Sequence, residues 1–155
     1  MPAPPALSRR AVLLALAAAL PPVLTARGAT AQAVFTEAGV ALRGHDPVAY
    51  FTEGRPRRGD PALAADWGCA RWLFATAANR DAFLAAPERY APQYGGFCAW
   101  AVAQGYRAPI VPEAWRIVDG KLYLNASRSV QRRWERDIPG FIARADAVWP
   151  GLRGN

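Results

Sequence analysis

Apolar and polar positions change their period several times along the chain, and each change marks an element. Residues 62–67, "ALAADW", and 70–75, "ARWLFA", are short apolar-rich runs of strand length, parted by Gly68-Cys69. A two-residue gap between such runs predicts a hairpin with a tight turn. "AWRIVDGKLYLN", 114–125, predicts a second hairpin around Asp119-Gly120, a dipeptide that tolerates the left-handed backbone such turns need. Between the hairpins, "TAANRDAFLAA" predicts a helix that Thr76 caps, that buries Phe83 and that Pro87 ends. A short helix follows from about Cys98 to Gln104, after the flexible pair Gly95-Gly96. In the last segment Val130, Trp134, Ile138, Phe141, Ala145 and Val148 recur at steps of three and four, the stripe of an amphipathic helix that Pro139 must kink or divide. Arg128, Arg132 and Arg136 fall on its solvated side. The expected fold class is α+β: small antiparallel β-hairpins packed against short helices, with a kinked C-terminal amphipathic helix.

The N-terminus follows a different rule. A basic start at Arg9-Arg10, an apolar core from Ala11 to Leu20 and a small-residue end at Ala31-Gln32-Ala33 predict an export signal over residues 1–33. The apolar run is shorter than the roughly 20 residues of a stable membrane span, and Pro21-Pro22 interrupt it. The paired arginines resemble a twin-arginine signal, which predicts a periplasmic or secreted protein. Residues 34–155 then form one domain, with no repeat or linker inside it. Losing Arg9, Arg10 and Arg27 lowers the net charge from +7 to +4. Outside the cytoplasm that modest excess favours solubility and makes nucleic acid an unexpected partner, while a protein partner stays open. An oxidising compartment permits a bond between Cys69 and Cys98, or two free thiols.

Chemistry-bearing residues are few. His45 is the chain's one histidine, so Ser-His-Asp or Cys-His catalysis would have to use it, and no zinc-protease, phosphate-loop or dinucleotide motif occurs. It is read as a structural residue, a metal ligand or a catalyst. Asp46-Pro47 predicts a helix start, with Asp accepting backbone N–H bonds and Pro in the first turn. In "YGGFCAW" the glycines suggest a close backbone approach. Cys98 there is either a thiol acidified at a helix start or an inert thiol in a tight packing corner. The six tryptophans are expected in the core.

Three stretches, "GHDPVAYFTEGRPRRGDPAL", "WLFATAANRDAFLAAPERYAPQYGGFCAWAVAQG" and "AWRIVDGKLYLNAS" with its continuation "RWERDIPGFIARADAVWP", resemble the YHS-domain family across nearly all of 34–155. The resemblance implies a YHS-like fold and a binding or accessory module, with metal handling as one role. Metal-associated members carry thiolates where this chain has Ala49, Ala75 and the Ala78-Asn79 pair, so that kind of site is missing. The metal ligands that remain to be nominated, for copper or zinc, are His45, Cys98 and Asp46. The competing roles are a cofactor-free interaction module and a thiol redox protein using Cys98.

Overall fold

The computed structural model describes residues 33–154, so the leader read in residues 1–33 lies, but for Ala33, outside the described residues. Two short strands, β1 (Thr36–Glu37) and β2 (Val40–Ala41), join a longer hairpin of β3 (Asp60–Trp67) and β4 (Ala70–Phe74) in a sheet ordered β1-β2-β4-β3. β2 runs parallel to β4, with Val40 opposite Arg71, and the other pairings are antiparallel. Gly68 and Cys69 turn β3 into β4 with φ of 60° and 62°. Both central residues of a type I′ turn need such values, and its twist matches that of the strands.

β4 is covered on both faces, which leaves Arg71 as its exposed residue and drives Trp72 and Phe74 into the core. α1 (Ala49–Thr52) precedes this hairpin, and α2 (Ala77–Ala85) follows it. Thr76 Oγ1 caps α2 by accepting the Asn79 N–H at 3.1 Å. Phe83, on the inner face of α2, is fully buried against Trp67, Trp72 and Phe74 at ring separations of 5.1–5.8 Å. Pro87, which cannot continue the ladder of α2, opens the single turn α3 (Pro87–Tyr90).

The second hairpin, β5 (Trp115–Val118) and β6 (Lys121–Leu124), turns at Asp119-Gly120 as expected. It separates two apolar clusters. Leu122 and Leu124 enter the one with Trp72 and Phe83, whereas Tyr123 points the other way, against Trp134 and Tyr94. α4 (Ala99–Ala103) also serves both: Ala101 faces the first cluster, and Ala99 and Val102 the second.

The C-terminal stripe forms α5 (Arg128–Trp134) and α6 (Ile138–Leu152). The division falls at Asp137 (φ −153°, ψ 65°), whose carboxylate caps α6 through the Gly140 N–H while Pro139 sits in its first turn. Trp134 and Ala145 are buried as the periodicity predicts, but the last inward position is Trp149 at 8 % exposure, not Val148 at 37 %. A step of four from Ala145 puts the larger indole on the core, where its area gains more. Arg128, Arg132 and Arg136 are exposed, and all six tryptophans lie in or against the two clusters. No helix among the described residues is long and apolar enough to cross a membrane.

Candidate functional site

His45 and Asp46 are adjacent, yet they belong to different constructions. Asp46 is fully buried. Its Oδ1 accepts the N–H groups of Val48 at 2.8 Å and Ala49 at 3.3 Å, starting α1 as the Asp-Pro reading predicts. Its Oδ2 accepts the Ala75 N–H at 2.8 Å and the Asn79 side-chain amide at 2.7 Å. One carboxylate thus ties α1 to the junction of β4 and α2, and four bonds use its four acceptor directions. Nothing is left over for a metal ion.

His45 follows a run of three left-handed residues, Leu42, Arg43 and Gly44 (φ 52°, 51° and 73°). Two of these are not glycine, and each costs on the order of 1 kcal/mol. The bend is held by the buried Leu42 side chain, by His45 N donating to Leu42 O at 3.0 Å, and by Gly59 N donating to Gly44 O at 2.9 Å. A second bond, Asp46 N to Arg57 O at 2.8 Å, flanks an isolated antiparallel bridge that places His45 opposite Arg58. Directly opposed residues of a non-hydrogen-bonded pair bring their side chains close together on one face.

That face lines a cavity of about 520 Å³. Val40, Leu73, Val111 and Pro112 form its apolar lining, and Glu37, Arg43, Arg58 and Glu113 supply charge. Arg43 pairs with Glu37 at 2.8 Å, while Arg58 and Glu113 enter no ion pair among the described residues. Segment 111–114 is fixed from behind: Tyr50 donates its hydroxyl to Pro112 O at 3.0 Å, and Asn125 pairs its backbone with Val111 and Ala114.

His45 Nδ1 lies 3.2 Å from Arg43 O, and because a carbonyl only accepts, Nδ1 carries the proton. Burial pushes the imidazole pKa down, helped by the Arg58 charge and opposed by the Arg43 carbonyl and Glu113, so the ring is neutral at pH 7. Nε2 therefore holds a lone pair, and Nδ1 makes the ring's one hydrogen bond among the described residues.

Cys98 lies in a separate packing corner. Its thiol is fully buried, donates to Asn125 Oδ1 at 3.7 Å and accepts the Ala126 N–H at 3.3 Å. Burial pushes its pKa up, outweighing the N–H groups around it, so the helix start does not acidify this thiol. Cys69, at the hairpin tip, is exposed, and both thiols are free. The glycines of "YGGFC" receive the start of the described chain: Phe35 N donates to Gly95 O at 2.9 Å, and a Cβ on Gly95 (φ +62°) would collide with the Ala33 carbonyl.

The three nominated ligands thus share no partner, and no three His, Cys, Asp or Glu side chains among the described residues gather as a metal-ligand set. The residues around His45 that complete the cavity, Arg58 and Glu113, carry no local signal in the sequence, since isolated surface charges look the same. A comparison with known proteins gave no match: no family model fits the chain, and no curated protein or solved structure is significantly similar to it.

Proposed function

We propose that this is an exported, non-catalytic binding module of YHS-like fold whose ligand enters the cavity beside His45. The observation that carries the reading is the neutral His45 in the lining of a cavity of about 520 Å³, its Nδ1–H fixed on the Arg43 carbonyl and its Nε2 lone pair unused. The volume is of the size that takes small molecules. The strained Leu42–Gly44 run points the same way, because backbone cost of this kind gathers where a side chain must be aimed.

The YHS likeness draws support from the Asp46 contacts. Ala49, Ala75 and Asn79 of the Ala78-Asn79 pair, where metal-associated members of that family carry thiolates, all donate to the one Asp46 carboxylate, through two backbone N–H groups and a side-chain amide. The donor set does not suit a soft metal ion.

The test is to export the full chain through its own leader and purify it without chelators. Retained organic molecules and retained metal are then measured by mass spectrometry, in the wild type and in His45→Ala and Cys98→Ala. An organic ligand held by wild type and Cys98→Ala but lost from His45→Ala is the expected result. Stoichiometric copper or zinc that both variants lose would overturn it in favour of metal handling. Protein that retains nothing and has a concentration-dependent mass would favour an interaction module. The redox alternative requires fast labelling of Cys98 in native protein, whereas the buried thiol predicts labelling at Cys69 alone.

A further inference from the structure

The polar groups around His45 are of three different kinds, and together they select a ligand. Arg43 is neutralised by Glu37, which leaves one free cation, Arg58, and one free anion, Glu113, among the described residues of this cavity. The exposed Arg58 keeps one guanidinium nitrogen at the lining: its Nη1 lies 3.9 Å from where a Cβ on Gly44 would stand, beside Leu73 and Val40. His45, opposite Arg58 on the bridge, offers a lone pair and no proton at Nε2. Glu113 and Arg58 both lie close enough to act on the imidazole's charge, in opposite senses.

A divalent cation would meet one imidazole and one carboxylate with a guanidinium facing it. A phosphate would meet one arginine, a histidine that cannot donate, and a repelling carboxylate. Neither set is satisfied. A molecule bearing both a carboxylate and an ammonium group fits every member: its carboxylate takes the Arg58 fork, and its ammonium donates to His45 Nε2 and Glu113. Val40, Leu73 and Pro112 then receive an apolar side chain.

We propose that the His45 cavity binds a small zwitterion of the amino-acid type, held between Arg58 on one side and Glu113 with His45 on the other. This rests on the reading of the cavity as the binding site and adds the ligand's class.

The one histidine makes the test direct, since its Cε1–H proton resonance is unique in the spectrum. Three probes of one shape are titrated against the mature protein to about 20 mM, beyond the millimolar affinity of a weak small ligand. They are L-leucine, 4-methylpentanoate (which lacks the ammonium) and 3-methylbutylamine (which lacks the carboxylate). Leucine is expected to move the His45 resonance saturably, with each half-molecule at least about 10-fold weaker, one charged contact being worth that much or more. Arg58→Gln and Glu113→Gln should each weaken leucine about 10-fold while leaving the fold's amide spectrum unchanged, since both residues are exposed. If either half-molecule binds as tightly as leucine, the zwitterion is overturned and the cavity as a binding site stands. If none of the three moves the resonance, the zwitterion is overturned as well. The reading of the cavity then falls only if the exported protein also retains nothing that His45→Ala loses.

Discussion

The two neighbours His45 and Asp46 show how differently one short motif can be used. Asp46 is fully buried and every acceptor on it is engaged, by groups from residues 48, 49, 75 and 79. His45 is half-buried, sits after a strained bend, and keeps one nitrogen free at the edge of a cavity. A saturated network specifies the fold and has nothing to offer a ligand, whereas a held but unsaturated group has given up stability to stay available. The adjacency is useful in itself, because the carboxylate anchors the backbone from which the imidazole is aimed.

Removing Asp46 should break this division most severely. Asp46→Ala leaves four donors, two of them on fully buried residues, without an acceptor, at a cost of about 4 kcal/mol or more. Urea denaturation should show the midpoint collapsing. Asp46→Asn should recover part of the loss, because one oxygen remains for Val48 and Ala49 while the new NH₂ faces the donors of Ala75 and Asn79. His45→Ala should stay within about 1 kcal/mol of wild type. Equal losses at the two positions would mean that His45 is structural after all.

The N-terminal arm tests whether anchoring extends beyond Asp46. Gly95→Ala strains a left-handed residue, and in a chain that still carries its leader it also drives a methyl into the Ala33 carbonyl. The expected cost is about 1–3 kcal/mol. Faster hydrogen exchange at the Phe35 amide, which Gly95 O now holds, should accompany it, and unchanged exchange would show that the arm contributes nothing there.

Much of the anchoring was legible in the sequence, and the reasons are local. Asp119-Gly120 announces its turn through backbone preference, Thr76 its helix through a short polar side chain, and Asp46-Pro47 its helix start through both. β1 and β2, two residues each, are too short to carry a period. The cavity was illegible for another reason: its walls come from residues 37–45, 58, 73 and 111–113, and only long-range pairing assembles them. Gly95 signalled a close approach without naming the approaching segment, residues 33–35. Asn125, fully buried between Cys98 and the 111–114 segment, gave no warning, since an Asn after a strand reads as a turn.

Tyr50 connects the two regions, and Tyr50→Phe should separate their effects. The ring stays packed at 5.2 Å from Trp115, so the loss is one hydrogen bond to Pro112 O, about 1 kcal/mol. Because that bond holds one wall of the cavity, ligand affinity should fall by several-fold although Tyr50 does not line the cavity. Binding that is untouched while stability drops would show that the wall is held by Asn125 alone.

The smallest effect, and the one that sharpens the comparison most, is titration of His45. Burial and Arg58 lower the folded pKa below the unfolded value of about 6.5. Between those two values the unfolded chain binds the proton more readily, so folding stability must decrease as the pH falls through about 6.5 and level off below the folded pKa. Above about 7 both states are neutral at this position and it contributes no slope. His45→Gln removes the group, and its stability measured from pH 7.5 to 5 should decline less than that of wild type. A ligand whose ammonium donates to Nε2 must compete with the same proton, so its affinity should weaken over the same acidic range. An affinity that rises on acidification would instead require a protonated imidazole facing an anion, and Glu113 would then be the residue that stabilises the proton.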